Sequence, residues 1–205
     1  MSVANETGPL HVVITGASSG IGAALADQYA RKGARLALFA RRKTRLEETA
    51  ARCLREGAAE ARVLVGDNTR SGDVAAAMEA LAGWPRVDRA FLNAGGAAST
   101  DEGRHFTDCC AAGNQTGASF SANAADAVMR LNYSAHLYWL EPLLKRMAAQ
   151  GSGTIAVTGS MAADGNLQNS GPYTASKIAL RALVEALRFE AEPLGIKLCL
   201  IEPGF

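Results

Sequence analysis

Residues 11–22 read HVVITGASSGIG, an apolar run that leads directly into a glycine-rich turn. The run predicts a buried strand over His11–Thr15, and a helix is expected from Ile21 to about Arg31. Glycines in such a turn let the backbone approach a pyrophosphate closely, and the first turn of a helix offers unpaired N–H groups. A tight strand-to-helix connection without a ligand is the alternative, but the strand–loop–helix order favours phosphate binding. The candidate phosphate-binding residues are Gly16, Ser18, Ser19, Gly20, Ile21 and Gly22.

Further apolar runs alternate with helix-like stretches along the rest of the chain. Strands are expected at 35–40, 61–65, 87–92, 153–158 and 196–201. Their nearly continuous apolar character predicts burial on both faces, as in a parallel sheet. Between them, Thr44 and Glu47 form a capping-box pattern, and Pro172 suits the first turn of a helix that runs to about Glu192. The sequence therefore predicts a single α/β domain, with a doubly wound parallel sheet between two layers of helices.

Length, charge and cysteine usage narrow the class of protein. The chain has 205 residues and a formal net charge of +1, which does not support a nucleic-acid or membrane-surface role. No apolar run reaches the length of a membrane span. The cysteines at 53, 109, 110 and 199 lack metal-ligand spacing, and Cys53 and Cys199 are expected in the core. A reduced, cytoplasmic setting is therefore expected, with residues 1–9 as a short flexible leader.

The end of the second expected strand bears on which nucleotide is bound. Dinucleotide-binding folds that take NAD usually carry Asp or Glu here for the ribose hydroxyls, whereas this chain has Ala40 followed by Arg41, Arg42 and Lys43. Guanidinium groups can bind a 2′-phosphate through two hydrogen bonds, and a carboxylate would repel it. Arg41 therefore points to NADP(H). A solvated basic start of a helix stays open as the alternative for Arg42 and Lys43.

The stretch YTASK, residues 173–177, carries the strongest chemical signal. Tyr173 and Lys177 are four residues apart, so they share one face of the expected helix. A Tyr that acts as an acid or base near neutral pH needs its pKa lowered by about three units, roughly 4 kcal/mol, and a nearby ammonium works in that direction. Ser160 follows the fifth strand, where its hydroxyl could bond a substrate oxygen. Taken singly, such residues are more often structural than catalytic.

Five motifs occur in a fixed order: TGASSGIG, Asn93-Ala-Gly95, Ser160, YTASK and Pro203-Gly204. Together they resemble the short-chain dehydrogenase/reductase family, from about His11 to the last residue. The resemblance implies an NADP(H)-dependent oxidoreductase that moves a hydride between nicotinamide and a carbonyl or alcohol substrate, without a metal. It also implies a homodimer built on the apolar helices that carry Asn132 and Tyr173. The alternative is an NADP(H)-binding regulatory or sensor module with little or no turnover.

The resemblance also implies roles for individual residues. Tyr173 would donate or accept the proton, Lys177 would lower the pKa of Tyr173 and hold the nicotinamide ribose, and Ser160 would steady the substrate carbonyl. Asn132 would hold a water in a proton relay. Asp67 would contact the adenine, and the remaining residues expected to bind the cofactor are Arg41, Arg42, Asn68, Asn93, Ala94, Gly95, Pro203 and Gly204.

The chain departs from the family pattern at three places. Gly66-Asp-Asn68 replaces the more usual Asp-Val after the third strand. The long interval from Asn93 to Asn132 indicates an insertion within about 96–120, where His105, Cys109 and Cys110 are expected to form an ordinary loop rather than a metal site. Family members usually continue past the Pro-Gly pair through a helical lid and a last strand. We therefore expect a native chain that extends beyond Phe205.

Overall fold

A computed structural model describes residues 8–96, 121–165 and 170–204. Of the leader expected at 1–9, only Gly8 and Pro9 fall within these ranges. The insertion expected within 96–120, with His105, Cys109 and Cys110, lies outside the described residues except for Gly96.

The described residues form one domain around a six-stranded sheet in which every neighbouring pair of strands is parallel. Its strand order is β3-β2-β1-β4-β5-β6. The strands are β1 (His11–Thr15), β2 (Arg35–Ala40), β3 (Glu60–Val65), β4 (Arg89–Leu92), β5 (Gly153–Thr158) and β6 (Ile196–Ile201). The predicted doubly wound parallel sheet is therefore confirmed. The fourth strand begins at Arg89 rather than at Val87, which is nevertheless fully buried.

Helices connect the strands in the expected alternation. They are α1 (Gly20–Ala30), α2 (Lys43–Arg55), α3 (Ser71–Ala80), α4 (Ala122–Met129), α5 (Ala135–Gln150) and α6 (Gly171–Ala191). A π-helical turn (Arg130–Ser134) joins α4 to α5, and short 3-10 helices lie at Met161–Ala163 and Glu192–Leu194. No helix in the described ranges is long and apolar enough to cross a membrane.

The start of α2 differs from the capping-box prediction. The helix begins at Lys43, so Thr44 lies inside its first turn, and the N-cap residue is Arg42, which makes no side-chain cap bond. Glu47 instead lies 3.8 Å from the ammonium of Lys43. The helix phase follows the buried residues Leu46 and Ala50, which outweigh one local cap pattern. The prediction for Pro172 is confirmed, because it lies in the first turn of α6.

Two apolar cores cover the two faces of the sheet. Val12 and Ile14 of β1 pack with α1 and α2 on one face, and Val13 packs with α3, α5 and α6 on the other. This alternation gives the three layers that the sequence predicts. Trp139 of α5 is fully buried and packs edge-to-face on Phe39 of β2, with ring centroids 5.0 Å apart.

The outermost strand β6 corrects one expectation about the cysteines. Cys53 is buried in α2 as predicted, whereas Cys199 is exposed. Only alternate side chains of β6, such as Ile196 and Leu198, face the helices, and Lys197, Cys199 and Ile201 face outward. A continuous apolar run therefore does not imply burial on both faces at the edge of the described sheet.

Candidate active site

A cleft of about 740 Å³ lies at the carboxyl ends of the strands, next to β1 and β4, where the strand order reverses. Ligands of open parallel sheets bind at this switch point because the loops on either side diverge there. Residues after β2 and β3 line one side of the cleft, and residues after β5 and β6 line the other. One end of the cleft therefore carries the charged side chains of Arg41, Arg42 and Asp67, and the other end carries Ser160, Tyr173 and Lys177.

Almost all of the residues predicted from the sequence meet at this cleft. Its lining includes Gly16, Ser18, Ser19, Gly20, Ile21, Arg41, Arg42, Asp67, Asn68, Asn93, Ala94, Gly95, Ser160, Tyr173, Lys177, Pro203 and Gly204. Gly22 and Asn132 do not line it. The lining residues that sequence reasoning missed are Ala40, Thr69, Gly96, Ala127, Leu131, Thr158 and Gly159.

The glycine-rich turn has the backbone shape that the sequence predicts. Gly16 has φ +68° and Gly20 has φ +54°, a region that side chains disfavour. A Cβ at Gly16 would lie 3.1 Å from the backbone of Ala94, and a Cβ at Gly22 would collide with the Gly16 carbonyl. Gly22 therefore lets α1 pack tightly behind the turn. The first N–H groups of α1 have no acceptor within the helix and can bind an anion.

Two arginines follow β2 and differ in their contacts. Arg42 Nη2 donates to the Ser18 hydroxyl (3.0 Å) and to the Ser19 hydroxyl (2.6 Å), so its guanidinium lies on the glycine-rich turn. Arg41 Nη1 lies 4.0 Å from Asp67 Oδ2, and the Arg41 side chain is 62% exposed. The Asp67 carboxylate also accepts bonds from the Thr69 N–H and hydroxyl. Arg42 is exposed and is the N-cap residue of α2, so both cofactor binding and the solvated helix start stay open for it.

Asn68 links the cleft wall to the core. Its Oδ1 accepts a 2.7 Å hydrogen bond from the Trp139 indole N–H, and both side chains are buried. A buried indole N–H without a partner would be costly, so this bond fixes the segment after β3 against α5.

A chain of hydrogen bonds ties the strand ends beneath the cleft to α6. The Thr15 hydroxyl oxygen accepts 3.0 Å bonds from the backbone N–H groups of Asn93 and Ala94. Thr158 donates its hydroxyl to Asn93 Oδ1 (3.2 Å), and its carbonyl accepts a 2.9 Å bond from Lys177 Nζ. The side chain of Lys177 is therefore held by the same network that joins β1, β4 and β5.

Lys177 and Tyr173 share the predicted face of α6. Lys177 is only 3% exposed, and burial lowers the pKa of its ammonium to about 8. Its Nζ lies 5.8 Å from the centroid of the Tyr173 ring. The ammonium and the phenol ring therefore lie side by side at the cleft.

Ser160 follows the carboxyl end of β5 and lines the same cleft as Tyr173. Its hydroxyl oxygen accepts a 3.1 Å bond from the Ala162 N–H and so caps the 3-10 helix Met161–Ala163. This contact uses an oxygen lone pair, which leaves the hydroxyl hydrogen free to be donated to a substrate oxygen.

Asn132 lies beneath the cleft in the π-helical turn and is fully buried. Its Oδ1 accepts from the Gly96 N–H (2.9 Å) and its Nδ2 donates to the Gly96 carbonyl (3.0 Å). The side chain thus anchors the segment after β4, and the water that the resemblance implies at Asn132 stays a prediction. One turn further, burial and the charge of Lys177 lower the pKa of the His136 imidazole to about 3. No sequence signal marked this neutral imidazole.

Comparisons with known proteins agree with the geometry. A family model described as short chain dehydrogenase matches residues 10–205. The chain is 35% identical, over 205 residues, to the 11-beta-hydroxysteroid dehydrogenase-like 2 of Arabidopsis thaliana, covering 98% of this chain and 60% of that relative. The chain thus spans about three fifths of the length of the curated relatives it matches.

Solved structures show the same fold with either nicotinamide cofactor. A short-chain dehydrogenase from Sphingobium yanoikuyae in complex with NADPH is 31% identical with a TM-score of 0.80, covering 95% of this chain and 70% of the other. An NAD+-bound xylitol dehydrogenase is 26% identical with a TM-score of 0.81, covering 98% and 72%. Similarity alone therefore does not choose between the two cofactors.

Proposed function

The chain belongs to the short-chain dehydrogenase/reductase family, and from that premise we propose that it is an NADP(H)-dependent oxidoreductase that interconverts a carbonyl compound and an alcohol. The observation that carries the proposal is the position of Lys177, which is buried, bonded to the Thr158 carbonyl and 5.8 Å from the centroid of the Tyr173 ring, in the cleft that Ser160 also lines. A protein that only bound a nucleotide would not need a buried ammonium in register with a Tyr. Burying that charge is unfavourable, so its presence in the cleft supports a functional role.

The described residues fit a dinucleotide phosphate. The glycine turn and the amino terminus of α1 offer N–H groups for the pyrophosphate, because side chains are absent where the backbone must come close. Ala40 stands where an acid would bind ribose hydroxyls, and Arg41 and Arg42 follow it. Arg41 and Arg42 line the cleft together with one carboxylate, Asp67, which leaves a net positive charge for a 2′-phosphate. These contacts support NADP(H) over NAD(H).

At the end of the cleft that carries Ser160, Tyr173 and Lys177, the side chains would transfer a proton to or from the substrate. A bound nicotinamide supplies or accepts the hydride at the substrate carbon. In the reducing direction Ser160 donates a hydrogen bond to the carbonyl oxygen, and Tyr173 transfers its hydroxyl proton to that oxygen. The Lys177 ammonium stabilises the phenolate that remains, and the reverse steps oxidise an alcohol.

The substrate end of the described cleft is apolar. Ala127 and Leu131 line it, and the side chain of Met161, next to Ser160, is 52% exposed. Among the described lining residues, the charged groups other than Lys177 all lie at the Arg41 end. This distribution supports an uncharged carbonyl substrate over a keto acid.

A homodimer through α5 and α6 is part of the proposal. Trp139, Leu140, Leu143 and Leu180 are buried in the protein's own core and so give no support for an interface. The exposed apolar side chains Tyr138, Ile178 and Phe189 do, since Phe189 alone is 79% exposed.

The test is NADPH oxidation with a panel of uncharged ketones, aldehydes and quinones, compared between wild type and Tyr173→Phe. The variant removes one hydroxyl, so we expect turnover to fall by at least about 100-fold with unchanged NADPH affinity. Tyr138→Phe removes the same atom from an exposed ring outside the cleft and should match wild type. Wild-type turnover in Tyr173→Phe would refute the assigned chemistry. NADPH binding without turnover on any substrate would favour a binding module.

A further inference from the structure

Helix α6 carries a third charged or polar residue at the spacing of Tyr173 and Lys177. Arg181 lies one turn beyond Lys177, so the three side chains follow one another along the helix. Arg181 Nε and Nη2 both donate to Glu202 Oε1, at 2.8 and 2.5 Å, and Nη1 donates to Asp164 Oδ1 at 2.6 Å. One guanidinium therefore joins two carboxylates that are far apart in the sequence.

The two carboxylates belong to the two segments that border the substrate end of the cleft. Asp164 follows the 3-10 helix Met161–Ala163 that Ser160 caps. Glu202 directly precedes Pro203 and Gly204, which line the cleft beside the Ser160 segment. A contact that fixes Asp164 and Glu202 therefore also restrains Ser160 and the part of the cleft wall that Pro203 and Gly204 form.

The two segments are also bonded to each other. The Gly159 N–H donates to the Ile201 carbonyl (2.7 Å), and the Met161 N–H donates to the Pro203 carbonyl (3.3 Å). Packing is close, since a Cβ at Gly159 would lie 3.1 Å from Glu202 Cγ. Glu202 thus lies between Gly159 and Arg181 with little room to move.

The two ion pairs of Arg181 differ in how far their side chains are exposed to solvent. The side chains of Arg181 and Glu202 are 22% and 27% exposed, whereas that of Asp164 is 62% exposed. Solvent screens an exposed ion pair strongly. The bonds to Glu202 therefore contribute more to holding the guanidinium than the bond to Asp164, which mainly sets its orientation. A guanidinium can make all three bonds in its plane, and a Lys ammonium cannot.

We propose that Arg181 is a positioning residue of the active site, which ties the Ser160 segment and the Pro203-Gly204 wall to the helix that carries Tyr173 and Lys177. It touches neither substrate nor cofactor. It sets the distance between the hydroxyl that bonds the substrate oxygen and the hydroxyl that transfers the proton. The inference rests on the proposed function for its role, whereas the tie itself is a property of the free protein.

The test compares Arg181→Met and Arg181→Lys with a control, Arg188→Met. Arg188 lies two turns further along α6, and its Nε donates to the Leu198 carbonyl (3.2 Å), away from the cleft. The first measurement is amide hydrogen exchange of Gly159 and Met161 in the protein without cofactor. In Arg181→Met we expect both amides to exchange about tenfold faster or more, because opening of the two segments is no longer resisted.

The second measurement is affinity for two probes. NADPH spans the cleft, whereas adenosine 2′,5′-bisphosphate would occupy only the Arg41 end. Arg181→Met should weaken NADPH binding by about tenfold, because the loosened segments would have to be ordered when NADPH binds, and leave the affinity for the bisphosphate unchanged. Arg181→Lys should recover part of the NADPH affinity, and kcat on a confirmed substrate should follow the same order.

Faster exchange at both amides with a selective loss of NADPH affinity confirms the positioning role. Behaviour of Arg181→Met equal to that of Arg188→Met overturns it. Equal weakening of both probes with a lowered Tm also overturns it, since that pattern indicates general loosening. If the wild-type protein binds neither probe, the proposed function fails, and the exchange rates alone then confirm or overturn the tie.

Discussion

Replacing Lys177 with methionine changes how stability depends on pH, because the buried ammonium is unfavourable in the folded protein. The side chain is 3% exposed, and burial lowers its pKa from 10.5 to about 8. Below pH 8 both the folded and unfolded chains carry the proton, so the full penalty applies. Between pH 8 and 10.5 the folded protein releases the proton while the unfolded chain keeps it, and stability rises with pH.

The size of the effect follows from the two pKa values. A shift of 2.5 units at 1.36 kcal/mol per unit is about 3 kcal/mol. Cys53 works in the opposite direction, since burial raises the pKa of its thiol from 9.0 to about 11 and stability then falls as pH rises from 9 to 11. Cys53 is present in both proteins, so its contribution cancels when wild type is compared with Lys177→Met.

The assay is urea unfolding of wild type, Lys177→Met and the control Lys197→Met, without cofactor, at intervals from pH 7.5 to 10.5. We expect wild type to gain about 3 kcal/mol relative to Lys177→Met across this range, and Lys197→Met, changed at an exposed lysine on β6, to follow wild type. A constant difference between wild type and Lys177→Met would refute the reasoning. Confirmation would mean that the charge assigned to the chemistry is also the one that destabilises the free protein.

Two further predictions concern the cofactor and the assembly. In fluorescence titrations NADPH should bind at least about tenfold more tightly than NADH. Arg41→Asp should reverse this preference, and Arg42→Ala should make it smaller. Equal affinities of the wild-type protein for the two cofactors would contradict the assignment. Light scattering at micromolar concentration should show a dimer for wild type and a monomer for Phe189→Glu, because a carboxylate replaces the most exposed apolar side chain of α6. A wild-type monomer would contradict the proposed interface.

The sheet could be predicted from the sequence because each strand is a compact apolar run with polar or glycine residues at its ends. The bounds of β1, β2, β5 and β6 follow the sequence pattern directly. The start of α2 did not follow it, since a capping pattern at Thr44 is a weak local preference and the burial of Leu46 is a larger one. Cys199 was misplaced because an apolar run does not reveal which strand lies at the edge.

The residues that line the cleft could be predicted where backbone shape or the proposed chemistry limits the residue type. Positive φ angles favour glycine at Gly16 and Gly20, and the proposed acid–base chemistry singles out Tyr173 and Lys177. Thr158 and Gly159 were missed because they line the cleft as the last residue of β5 and the residue after it, positions that many residue types could fill. The bonds of Asn132 to Gly96 could not be predicted, because they join segments 36 residues apart, and the water that the resemblance implies there stays a prediction.

Arg181 shows why part of the site could be recognised only from the three-dimensional structure. Its spacing from Lys177 equals that between Lys177 and Tyr173, yet only the earlier pair had a chemical reason to be read as functional. Its partners, Asp164 and Glu202, lie 17 and 21 residues away on opposite sides in the sequence. They meet because β5 and β6 are neighbours in the sheet, which places the segments that follow these strands side by side under α6. Pairings set by strand order cannot be read from local patterns, so the residues that hold an active site in shape are the ones that sequence motifs miss.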